Sequence, residues 1–200
     1  NNLDEVIRVA TPALEYNPDA MEFYYYLGLA HYQKEETDKA MEIFQQGLKQ
    51  VNEKSDKGIV SDFYAILGDL YHSKEMKAEA YAAYDSSLVY NPNNIGTLNN
   101  YAYYLSVERT NLDKAEEMSY KTVKAEPENA TYLDTYAWIL FEKKRYTEAR
   151  IYIEQAMKNR GDSSQVIVEH CGDIYYMSGE KEKALECWKK ADGVENKEED

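Results

Sequence analysis

The 200-residue chain carries 23 Lys and Arg against 37 Asp and Glu, a formal net charge of -14, which repels phosphate backbones and anionic lipid and argues against nucleic acid as a partner. Four prolines, nine glycines and twenty tyrosines, with 44% hydrophobic residues overall, leave long stretches free of helix breakers and suit helix throughout. Two cysteines are too few for a disulfide framework, and no apolar run approaches the roughly 18 residues that span a bilayer, so membrane insertion of this segment is not expected.

In chain order, residues 1–19 read as the second helix of an incomplete hairpin, with Leu3, Val6, Ile7 and Leu14 on its apolar side and Pro18 where a second helix ends. Pro12 predicts a kink or an early end of this helix. The apolar side wants a covering, so either upstream repeats or self-association through this end is expected. The start, Asn-Asn-Leu-Asp without an initiator Met, reads as that of a fragment or a processed chain. Residues 20–54 form a first full hairpin around Tyr24-x-x-Leu27-Gly28, then Ala40 and Phe44. An insertion is placed at 55–60, in the polar stretch that begins at Asn52, and reads as a longer loop or an extended helix. Residues 61–94 carry Tyr64-x-x-Leu67-Gly68-x-x-Tyr71, Ala80, Tyr84 and Pro92; residues 95–129 carry Leu98, Tyr101-Ala102, Leu105, Ala115 and Pro127. Residues 130–163 repeat this as Leu133, Tyr136-Ala137, Leu140, Ala149 and Ile153, and 165–193 as Cys171-Gly172, Tyr175, Ala184 and Trp188. An acidic tail is expected at 195–200, after a single array over 1–194.

The small residues Val6, Ala40, Ala80, Ala115, Ala149 and Ala184 recur at intervals of 34, 40, 35, 34 and 35. A fixed period in this range means stacked supersecondary units. Gly or Ala at each crossing lets two helices approach to about 8 Å. The motifs resemble the tetratricopeptide repeat, a resemblance that covers nearly the whole chain. It implies an all-α, right-handed superhelical solenoid of antiparallel helix hairpins, about 11 helices in all, acting as a protein-binding scaffold or adaptor and not as an enzyme, with no cofactor. A noncatalytic regulatory segment of a larger enzyme is the alternative. The runs Leu98-Asn99-Asn100-Tyr101-Ala102-Tyr103, Asp134-Thr135-Tyr136-Ala137-Trp138 and His170-Cys171-Gly172-Asp173 further resemble repeat lipoproteins of Gram-negative, Bacteroides-type cell envelopes. That resemblance implies a periplasmic or outer-membrane-associated location.

In repeats of this kind the first helix of each hairpin lines a concave groove. Positions flanking the packed stripe then give the expected lining: Tyr25, Tyr26, Leu29 and Tyr32; Ile66, Asp69 and His72; Asn99, Asn100 and Tyr103; Asp134, Trp138 and Phe141; and Glu169, His170, Asp173 and Tyr176. This surface is aromatic, amide-bearing and acidic, without Lys or Arg. It favours a basic, apolar or extended polypeptide over an acidic tail, because carboxylates in the groove oppose a like-charged ligand. Roughly half of the aromatic residues are expected to serve helix packing instead.

Catalytic and metal readings are weaker. His31 takes the place of a packing tyrosine and is expected in the hairpin contact. His170 beside Cys171 suggests a metal or nucleophile pair, yet adjacent helical residues diverge by about 100°. Cys171 and Cys187 lie on the two helices of one hairpin, where a disulfide or two buried free thiols are the alternatives. No catalytic residue and no metal site is expected.

Overall fold

The computed structural model describes the backbone of residues 2–198 and the side chains of residues 2–193. Among the described residues there are eleven α-helices, a 3-10 turn at Gly161–Ser163 and no strand. The helices are α1 (Leu3–Tyr16), α2 (Met21–Gln33), α3 (Thr37–Leu48), α4 (Lys57–Ser73), α5 (Lys77–Tyr90), α6 (Ile95–Val107), α7 (Leu112–Ala125), α8 (Ala130–Glu142), α9 (Tyr146–Lys158), α10 (Gln165–Met177) and α11 (Lys181–Glu198). They gather into two compact units, residues 1–97 and 98–200. The all-α hairpin architecture read from the sequence is the one the chain adopts.

Each hairpin closes where a small residue meets its second helix. A Cβ added at Gly28 would lie 2.6 Å from the Phe44 ring, one at Gly68 2.4 Å from the Tyr84 ring, and one at Gly172 2.3 Å from the Trp188 indole. Those glycines therefore hold space for a ring. Where the crossing residue is Ala102 or Ala137, the position four beyond the second-helix alanine is Ser119 or Ile153. Burial of the small residues is complete: Ala40, Ala80, Ala102, Ala115, Ala137, Ala149 and Ala184 are all at 0% exposure.

The turn inside every hairpin places a residue in the left-handed region, Glu35, Glu75, Arg109, Lys144 and Gly179, with φ between 53° and 86°, and the third adds Asn111 at 46°. The residue after each of the five sends its N–H back to a carbonyl five positions earlier, as in Glu36 to His31 and Arg145 to Leu140. This closes the helix in a Schellman-type turn. Only the last of the five uses glycine.

Two expectations are corrected, and the insertion takes both of the forms expected for it. Pro12 does not end α1, which runs on to Tyr16; Ile7, Ala10 and Leu14 pack on the core of the first unit, and this packing outweighs the roughly 3 kcal/mol that an interior proline costs. The extra residues before the second full hairpin are shared between a loop over 49–56 and a lengthened α4, so 57–60 of the expected insertion are helical. Asp56 caps that helix by accepting from the Ile59 N–H at 2.9 Å. Finally, α11 continues through 195–198, where a tail was expected; the side chains of 194–200 and the backbone of 199–200 lie outside the described residues.

Ion pairs join consecutive hairpins within a unit. Lys34 bonds Asp4 at 2.6 Å, and Lys74 pairs with Asp38. In the second unit Lys143 reaches Asp113 at 2.6 Å and Glu116 at 2.5 Å, while Arg145 reaches Glu116 at 2.5 Å and Glu148 at 2.6 Å. Burial opposes ionisation of Glu116, but its bonds to Lys143 and Arg145 prevail and hold its carboxyl below the usual value of 4.5. In the first unit a buried hydroxyl chain runs from Thr97 to Ser87 at 2.7 Å and on to Ser61 at 2.9 Å, with Asn94 donating to Ser61 and Asp62.

Two outcomes are expected in urea denaturation. Gly68→Ala destabilises by about 1–3 kcal/mol because the Tyr84 ring must move; Gly193→Ala, with open space around it, is neutral or slightly stabilising. Glu116→Gln costs about 1 kcal/mol at pH 7, a solvent-screened figure. A carboxyl whose folded value is depressed stabilises above its unfolded value and loses that contribution as it protonates. The deficit therefore shrinks as pH falls through and below 4.5.

Candidate functional site

In the second unit, α6, α8 and α10 are the first helices of their hairpins and repeat at 35-residue spacing, so Asn99, Asp134 and Glu169 hold the same helical position, as do Tyr103, Trp138 and Asp173. Side chains 35 or 36 apart therefore meet across neighbouring helices. Asp134, only 4% exposed, accepts from the Nδ1–H of His170 at 2.9 and 3.1 Å. The Trp138 ring stacks on His170 at 4.0 Å and 15°, and on Phe141 at 4.5 Å and 13°. Tyr146 meets the far side of this group, 5.5 Å from Phe141. Burial, with the Asp134 charge adding, pushes the Tyr103 phenol up, which places Tyr103 beside the same carboxylate.

Asn99 completes the group at the sequence level. It is 6% exposed, its Nδ2 donates to Asn100 Oδ1 at 3.3 Å, and its Oδ1 has no hydrogen-bond partner. A buried acceptor without a donor is uncommon in native structures. The structure thus gathers Tyr103, Asp134, Trp138, Phe141 and His170 of the expected lining around one carboxylate. Glu169 and Tyr176 lie exposed at the edge.

Two expected lining residues are engaged inside their own hairpins. Asp173 accepts from the Trp188 indole at 3.1 Å, and Asp69 accepts from the Tyr84 hydroxyl at 2.5 Å. Each holds its ring in the notch made by the preceding glycine. Sequence reasoning missed this role, although a signal existed. The residue after the crossing glycine is Asp where the opposing ring carries a donor, and Leu29 where that ring is Phe44.

The first unit presents a different face. Tyr25 packs between Tyr26 at 5.8 Å and Phe63 at 6.0 Å, and burial, then the Asp62 charge, raises its phenol. Leu29 and Ile66 shoulder the apolar core. His72 is half-buried in the last turn of α4. Tyr26 is 58% exposed, and Tyr32 is exposed as well. Between α1 and α2 lies an apolar notch of about 470 Å³ lined by Val6, Val9, Ala10, Phe23 and Tyr26; of the residues for which a covering was expected it takes in Val6, while Ile7 and Leu14 pack on the core. His31 is buried and its Nδ1 meets Glu36 at 2.5 Å across the hairpin turn, the hairpin-contact role read from the sequence.

Among the described residues no group of three His, Cys, Asp or Glu side chains is placed to hold a metal ion, and no helix is long and apolar enough to cross a membrane.

Residues 1–55 and 130–162 match models of the tetratricopeptide repeat. A TPR repeat-containing protein of Pseudomonas aeruginosa is 25% identical over 179 residues; the match covers 86% of this chain, which spans 28% of that relative's length. Among solved structures, BtubC from P. vanneervenii aligns with a TM-score of 0.77 at 16% identity, covering 98% of this chain and 89% of its own. Pseudomonas aeruginosa PilF aligns at 0.71 and 18% identity, covering 88% and 77%. YrrB, described as a TPR protein with an unusual peptide-binding site, aligns at 0.71 and 18% identity, covering 93% and 92%. These three likenesses concern the fold.

Removing one member of the buried Asp134–His170 pair strands the other. His170→Ala is expected to cost about 3 kcal/mol. The double variant His170→Ala with Asp134→Ala should cost less than the sum of the single changes, as read by a double-mutant cycle in urea.

Proposed function

Because the chain carries tetratricopeptide repeats, we propose that it is a protein-interaction scaffold, and that in its second unit the faces of α6, α8 and α10 hold an extended segment of a partner polypeptide. The observation that carries this reading is the stack of Phe141, Trp138 and His170 set against the buried Asp134. A partly exposed aromatic stack beside a carboxylate suits a Lys or Arg side chain, by charge and by contact with its aliphatic stem. Phe141 and Tyr103 offer apolar contact with little entropy to lose.

The preferred partner is therefore basic or apolar, and the formal charge of -14 steers in the same direction. The densest basic strip, Lys143-Lys144-Arg145, supplies no counter-surface for nucleic acid, since Lys143 and Arg145 bond to acidic residues of the same unit. We read the role as holding and not as catalysis, in keeping with the tetratricopeptide repeats matched over residues 1–55 and 130–162. The apolar notch of α1 and α2 supports self-association at that end as part of this reading. The envelope location is proposed from the resemblance of the motifs around Asn99, Asp134 and His170.

Selection of a displayed random-peptide library on the purified chain tests the reading. Enriched peptides should combine Lys or Arg with aromatic or aliphatic residues. Trp138→Ala and Tyr103→Ala should each weaken their binding by about tenfold or more, as anchor residues do. Enrichment of acidic peptides, or binding unchanged by both substitutions, would contradict it.

A further inference from the structure

The last hairpin holds two thiols in contact. Cys171 on α10 and Cys187 on α11 are both free, and their sulfurs stand 3.3 Å apart. The helices that carry them are already fixed at close range. Ala184 is fully buried, and the Trp188 indole fills the space left by Gly172 with its N–H bonded to Asp173 at 3.1 Å. Closing the sulfurs to the roughly 2.05 Å of a bond asks a further approach of little more than about 1 Å. The two thiols differ in access. Cys171 is 1% exposed and burial, with the contact to Cys187 adding, pushes its thiol up; Cys187 is half-buried. A reagent from solvent therefore meets Cys187 first.

We propose that Cys171 and Cys187 form a reversible intramolecular disulfide by exchange with a disulfide oxidant, either a small-molecule disulfide or the active-site disulfide of an oxidoreductase. Cys187 loses its proton and attacks one sulfur of the oxidant, and the displaced thiolate takes up that proton. A mixed disulfide stands at Cys187. The Cys171 sulfur then attacks the Cys187 sulfur, the second thiol of the oxidant leaves, and the Cys171 proton goes with it. One disulfide is reduced to two thiols, one is formed in the protein, and two electrons have passed from the cysteine pair to the oxidant.

The bond ties α11 to α10, the helix that carries His170. Cys171 belongs to the buried core against which Phe141 and Cys187 pack, so the bond forms in the core that also supports the aromatic group of the second unit. A cross-link of this kind restricts opening of the segment it closes.

The full chain is incubated in buffers of reduced and oxidised glutathione at graded ratios, free thiols are trapped by an alkylating reagent under denaturing conditions, and intact mass is read. The expected product at oxidising ratios is a monomer short of two hydrogens, with neither alkyl group nor glutathione, restored by dithiothreitol. Cys171→Ser should instead stop at a lasting glutathione adduct on Cys187, and Cys187→Ser should gain neither adduct nor internal bond. Amide hydrogen exchange of α11 should slow about tenfold in the oxidised chain relative to the reduced one. A wild-type chain that keeps both alkyl groups, retains a glutathione adduct or forms only linked dimers would overturn the proposal, as would faster exchange in the oxidised form.

Discussion

Two antiparallel helices can share an apolar face only if their backbones come close enough for side chains to interlock, and one small residue per hairpin sets that distance here. Gly28, Gly68 and Gly172 leave a gap that Phe44, Tyr84 and Trp188 fill, to the point that a single added methyl would sit inside the ring's contact distance. Ala102 and Ala137 already occupy part of that gap, and Ser119 and Ile153 stand at the matching positions of their second helices. Because space and filler are chosen together, the crossing is stiff, and everything mounted on the first helix inherits its position.

That stiffness turns a sequence period into a place for chemistry. With first helices repeating every 35 residues, Asp134 finds His170 on the next hairpin, Trp138 lies over the same imidazole, and the Tyr103 phenol feels the same carboxylate. Asp134 and Trp138 are one turn apart on α8, but Tyr103 and His170 lie 31 and 36 residues from Asp134. Ion pairs at the hairpin turns act at comparable separations, Asp4 with Lys34 and Asp113 with Lys143. Each such pair is worth little in solvent. Their bearing on function is indirect: they consume the cations that a basic strip would otherwise offer.

Much of the hairpin order was legible because apolar spacing and the small residues report burial directly. The turn geometry was not. Glu35, Glu75, Arg109 and Lys144 adopt positive φ without the glycine that usually signals it, since the Schellman hydrogen bonds and the packed helices on either side impose the conformation. The early helix end offered by Pro12 failed for the mirror-image reason: a local penalty was visible in the sequence, while the contacts of Ile7 and Leu14 that carry the helix past it were not. The candidate site divides the same way. A rule based on flanking positions selected Asp134, Trp138 and His170 together, but it could not separate them from Asp69 and Asp173, whose carboxylates are bonded to the rings of their own hairpins. That separation depends on whether the opposing ring carries a donor, a cross-helix property that one helix viewed alone does not reveal.

The account turns on whether the stack around Trp138 is where a partner rests. The chain has two tryptophans, so in Trp188→Phe the indole emission comes from Trp138 alone. Titrating this variant with a peptide that binds the wild-type chain should shift that emission to shorter wavelength, saturably and with the affinity measured independently, because a bound segment excludes water from the ring. A peptide that binds with unchanged affinity while the Trp138 emission stays where it was would show that the partner sits elsewhere.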